Sequence, residues 1–164
     1  MTMSDLEDLS NIFRKLGARE PESWAASQIE EGINQLARFV FLREAWKSVI
    51  DERDDSWIDG EIRSSKREPE APGAGMGKAL ENLLSAGGER NDIVQIARHA
   101  QWKLLFELCY LLEGPDELED EIKNMSWGLF EVGESGDIVG TIDGLHESVL
   151  DTEPTGREMR PQIS

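Results

Sequence analysis

Carboxylates are the residues of this 164-residue chain with the clearest capacity for chemistry. Glu30 and Glu31 are adjacent, and Glu52 and Asp55 lie close together in the acidic run from Asp51 to Glu61. Such side chains are hard oxygen donors, and magnesium or calcium is the kind of ion they suit. The run does not make an EF-hand loop. With Gly60 in its sixth position, Trp57 falls at the third and Lys66 at the twelfth, where that loop needs acids. The same run holds a second kind of candidate, because Trp57 is set among Asp54, Asp55 and Asp59. An aromatic ringed by acids suits an anchor for a basic protein partner. The competing reading of Trp57 is a residue that caps a helical core.

Glu30-Glu31-Gly32-Ile33-Asn34 resembles the E-E-x-x-E motif by which helical pyrophosphohydrolases of the MazG type hold magnesium, with Asn34 in place of the last acid. Those enzymes use E-x-x-D on another helix. Glu52-Arg53-Asp54-Asp55 and Glu113-Gly114-Pro115-Asp116 both fit that pattern. The resemblance implies a magnesium-dependent nucleotide phosphohydrolase of helical type, with Glu30, Glu31, Glu52 and Asp55 as metal ligands. The departure at Asn34 removes one ligand from that set.

Other catalytic patterns fail on inspection. Pro72-Gly-Ala-Gly-Met-Gly-Lys-Ala79 is reminiscent of a phosphate-binding loop, yet Pro72 stands where the first Gly belongs and Ala79 replaces the magnesium-binding hydroxyl. His146 has Asp143 and Ser148 as near neighbours in sequence, but no G-x-S-x-G elbow occurs, so acyl transfer is unsupported. His99 reads as an ordinary helix histidine. Cys109 is the sole cysteine and sits in the apolar run Leu104 to Leu112, which predicts a small core residue. No cofactor motif is present, and no cofactor is expected.

The formal charge of -17 restricts the partners. More than half of the acid excess follows Leu112, and Glu131 to Glu153 holds seven acids without one Lys or Arg. Affinity for nucleic acid comes largely from Lys and Arg releasing counterions, so direct nucleic-acid binding and docking on anionic membranes are disfavoured. A basic protein is favoured. The opening residues lack a basic segment followed by an apolar one, and the most apolar stretch, Ile93 to Leu112, is interrupted by Arg98, His99, Lys103 and Glu107. A cytoplasmic protein with no membrane helix is the expectation.

The elements that must position these side chains read as helices for most of the chain. Leu6, Leu9, Ile12, Phe13 and Leu16 keep helical spacing up to Gly17. Pro21 opens a second helix whose apolar face, from Trp24 through Val40 to Ile50, predicts roughly 30 residues in one piece. Phe39, Phe41 and Leu42 widen that face, which suits burial at the centre of a bundle or a homodimer contact. A short helix is predicted over Lys78–Ser85, and a long one over Asp92–Glu113 capped by Asn91 and stopped by Gly114-Pro115. Asp116 to Met125 reads as a further amphipathic helix. Leu129–Val132 and Ile138–Ile142 bracket Gly133-Glu-Ser-Gly-Asp137, the pattern of a hairpin.

The expected architecture is mainly α, a helical bundle with two long central helices and a small C-terminal β-hairpin. Residues 1–153 form a single domain with a mobile loop near 66–77, and 154–164 form an extended tail. The preferred function is a non-catalytic acidic interaction protein that binds a basic protein, for example as an inhibitor or an immunity-type neutraliser. The alternatives are the magnesium-dependent phosphohydrolase and a structural homo-oligomer.

Overall fold

The computed structural model describes residues 3–115 and 117–161, in which seven helices and one two-stranded sheet are found. The chain divides into two compact units: residues 1–48 with 104–164, and residues 49–103.

The first unit starts from α1 (Met3–Lys15), α2 (Pro21–Glu31) and α3 (Gln35–Trp46). α1 turns its apolar side inward through Leu6, Leu9, Phe13 and Leu16. It stops at Gly17, whose φ of +90° suits the left-handed closure in which Ala18 N donates to Phe13 O at 3.0 Å. Phe13, Trp24 and Phe39, one from each helix, form an aromatic centre. Phe13 stacks on Trp24 at 6.0 Å between centroids, and Phe39 meets the two edge-on at 5.6 and 5.4 Å. Such geometry places ring edges against ring faces and adds to simple burial.

The long helix expected from Pro21 to Ile50 is instead two helices of 11 and 12 residues. Gly32 adopts φ +72°, a left-handed conformation that ends α2. The break is then held by side chains: Gln28 Oε1 accepts from Leu36 N at 2.8 Å, and Gln35 Nε2 donates to Ser27 Oγ at 2.8 Å. Apolar periodicity survives the break because α3 folds back onto α2, so periodicity alone did not reveal it.

The C-terminal hairpin and the short helix that follows it pack on α3. β1 (Leu129–Val132) and β2 (Ile138–Ile142) pair antiparallel over the residues expected, with Leu129 opposite Ile142 and Phe130 opposite Thr141. Between them, Gly136 at φ +86° closes the loop. α7 (Leu145–Ser148) follows, with Leu145 and Val149 fully buried. Trp46 Nε1 donates to Val149 O at 2.8 Å, and Arg38 donates to Asp143 Oδ1 at 3.2 Å and Ser148 Oγ at 3.4 Å. The hydrogen bonds attach the segment after the hairpin to α3. Beyond it, Glu153 is buried and folds the chain around its carboxylate, accepting from Thr155 Oγ1 at 2.6 Å and Arg157 N at 3.2 Å.

The helix expected over Asp116–Met125 is not formed. Asp116 lies outside the described residues, and 117–125 is irregular chain and turns, with Ile122 N on Glu119 O at 2.9 Å and Met125 N on Ile122 O at 2.8 Å. Glu117, Glu119, Asp120 and Glu121 repel one another with Lys123 alone to offset them. Ile122 and Met125 stay exposed, so no packing face compensates.

In the second unit, α4 (Ser56–Arg67), α5 (Gly75–Ser85) and the first turns of α6 (Arg90–Leu112) surround Ile58, Leu80, Ile93 and Val94. α4 and α5 meet at Gly77, where an added Cβ would fall on the Ser65 side chain and the Glu61 carbonyl. α6 begins before Asn91, so that residue lies in its first turn and does not cap it. At 23 residues it is the longest helix described, and its last turns, from Leu104, belong to the first unit. Among the described residues no helix is long and apolar enough to cross a membrane.

Candidate functional site

Glu30 and Glu31 end α2, exposed, in the first unit, while Glu52 is buried in the second and Asp55 precedes α4. Among the described residues no group of three or more His, Cys, Asp or Glu side chains is gathered as a metal site. The acids around Trp57 are brought together, but on a cation of their own chain. Arg90 Nε donates to Asp55 Oδ2 at 2.6 Å and Nη2 to Asp59 Oδ2 at 2.7 Å. Asp54 accepts from Ser56 N at 2.9 Å, and its hydrogen bonds with Ser56 hold its carboxyl below the usual range. Trp57 itself packs against the Ile58 cluster.

His146 has the carboxylate partner that a general base requires, and it is Glu113 at the end of α6 rather than Asp143. His146 Nδ1 lies 2.9 Å from both Glu113 oxygens, His146 N donates to the same carboxylate at 3.1 Å, and Tyr110 stacks on the ring at 4.0 Å. The arrangement fixes the imidazole and ties α7 to α6. Cys109, on the same stretch of helix, is fully buried; burial first and the Glu113 charge second push its thiol up to about 11, which leaves it a poor nucleophile. Separation in sequence concealed the Glu113–His146 pair.

The hairpin shows an uncovered apolar surface. Its inner side faces α3: Ile142 is buried, and Glu131 Oε2 accepts from Asn34 Nδ2 at 2.8 Å. An apolar groove of about 560 Å³ runs there, walled by Leu36, Val40, Phe41 and Ile142. The breadth of apolar sequence around Phe39 to Leu42 thus divides between the core and this groove. The outer side carries Phe130, Val132, Ile138 and Val139, which are 42, 59, 66 and 63 % exposed. Strict alternation would turn Ile138 and Val139 to opposite sides. The register slips between Glu131 and Val132, leaving Val139 as an extra residue on β2, and a bulge of this kind lets both neighbours stay outward. At the turn beside them, Glu134 and Asp137 are exposed.

On α6, Leu104, Leu108 and Leu111 are exposed at helical spacing, and Trp127 donates its indole N–H to Leu111 O at the end of that row. The strands and helix were legible from sequence; which of their faces remained uncovered was not. Comparison of the chain with protein-family models, with curated proteins and with solved structures finds no match.

Proposed function

We propose that this chain is a non-catalytic interaction protein that binds a basic protein through the outer face of its hairpin. The observation that carries this reading is the exposed apolar set Phe130, Val132, Ile138 and Val139 within a segment, Leu129 to Glu153, that has seven acids and no Lys or Arg. Fully burying one such side chain is worth about 1.5–3 kcal/mol, of which these four partly exposed neighbours forgo roughly half in the free protein. The apolar side chains supply anchors, and Glu134 and Asp137 supply the charge that a Lys- or Arg-bearing surface matches. A second copy of this chain is a poorer occupant, because pairing like faces opposes acid to acid. An inhibitor or neutraliser of a basic protein belongs to this class.

The test is parallel capture from native cell extract at low salt by the parent protein and by Phe130→Ser/Val139→Ser. One basic protein should be retained in stoichiometric amount by the parent, released by raised salt, and lost from the variant. Equal retention by both proteins, retention that salt leaves unchanged, or retention of nothing overturns the proposal. Self-association abolished by the same variant would instead favour the homo-oligomer.

A further inference from the structure

A polar cavity of about 430 Å³ opens in the first unit, lined by residues other than those of the hairpin's outer face. Glu20, Glu31, Asp151 and Glu158 bring four acids to it against the single base Arg19. Arg19 Nη2 donates to the carbonyls of Leu150 at 3.2 Å and Asp151 at 2.5 Å, so it serves the backbone of the cavity wall. Glu158 pairs with Arg160 at 2.7 Å, and among the described residues no salt bridge engages Glu20, Glu31 or Asp151. Burial first, and then the neighbouring charge of Glu158, push the Asp151 carboxyl above its ordinary range despite Arg19. Acids that crowd together with too few cations respond in this way.

The wall has two further features. Gln35 is only 7 % exposed; its Nε2 is used on Ser27, while its Oε1 is buried with no donor. Trp24 is held at the wall by Phe13 stacked on it and Phe39 at its edge. An excess of carboxylates, an acceptor lacking a donor and a fixed indole complement a cation that is planar, donates several hydrogen bonds and stacks. An ammonium is a compact point charge and exploits the indole plane less well.

We propose that this cavity binds a guanidinium group. The same chemistry is offered by a free alkylguanidine and by an arginine side chain of a protein, and its binding here does not depend on the hairpin reading. Calorimetric titration of the full chain with agmatine, with N-acetylarginine amide and with its neutral isostere N-acetylcitrulline amide tests it. A guanidinium ligand should bind saturably, the citrulline compound at least about tenfold more weakly, and Glu31→Gln/Asp151→Asn should lose at least about tenfold in affinity. Tighter binding of agmatine assigns the site to a free cation, and tighter binding of the arginine amide assigns it to a protein side chain. Absence of saturable binding, equal binding of the citrulline compound, or unchanged affinity in the double variant overturns the proposal. Asp151→Asn alone should also weaken binding, which guards against a folding defect in the double variant. Phe130→Ser/Val139→Ser should bind guanidinium as the parent does, so the failure of either proposal is readable without the other.

Discussion

Gly144 lies against the buried guanidinium of Arg38: its φ is +62°, and a Cβ added there would fall on the Arg38 side chain. Arg38 in turn holds Asp143 and Ser148, so this close approach fastens the hairpin's exit and α7 to α3. Gly144→Ala combines left-handed strain with displacement of a packed, hydrogen-bonded arginine. It should lower unfolding free energy by about 1–3 kcal/mol in urea denaturation. Unchanged stability would mean that Arg38 moves aside freely.

Gly77 has the same importance in the second unit for a different reason. Its conformation is ordinary helix, but the Glu61 carbonyl and Ser65 side chain occupy the space of a Cβ. Gly77→Ala should cost about 1–3 kcal/mol through overpacking between α4 and α5, read by chemical denaturation followed through tryptophan fluorescence. Nucleotide should leave the unfolding midpoint of either protein unmoved, because this glycine serves helix contact.

Trp57 provides a contrast between packing and partner binding. Its ring is packed on the Ile58 cluster, and its Nε1 is buried without an acceptor among the described residues. Trp57→Phe keeps an aromatic ring and removes that unsatisfied N–H, so stability should stay within about 1 kcal/mol of the parent. Capture of a basic partner should persist. Loss of capture with intact folding would return the partner site to the acids around Trp57.

The raised Asp151 value fixes the sign of a pH effect. The folded state holds this proton more tightly than the unfolded chain does, so stability falls as pH rises through the range in which Asp151 ionises. Asp151→Asn removes that loss. Its melting temperature should exceed the parent's near pH 7, and the difference should shrink as pH falls toward about 3, well below the ordinary Asp value of about 3.9, where the carboxyl is protonated in both states.

Cys109 should be silent toward thiol reagents in the folded protein. It is fully buried, and its thiol is pushed up to about 11. Labelling at mildly alkaline pH should be slower by a factor on the order of 100 in buffer than in denaturing urea. Rapid labelling of the folded protein would show that the last turns of α6 open readily.

The amino-acid sequence determined several local elements through signals that were themselves local. Gly17 ended α1, Pro21 opened α2, the Gly-rich turn defined the hairpin, and the apolar run around Cys109 foretold its burial. It did not locate the break at Gly32–Asn34, because a helix that folds back on its predecessor preserves the apolar rhythm of an unbroken one. It marked Asp54, Asp55 and Asp59 as acids near Trp57, but only the tertiary structure brought Arg90 to Asp55 and Asp59. The Glu113–His146 pair, the convergence of Glu20, Glu31, Asp151 and Glu158, and the uncovered outer face of the hairpin were likewise decided by folding. Periodicity records which side of an element is apolar. Which apolar sides find a neighbour, and which distant charges meet, depends on contacts between residues far apart in the chain.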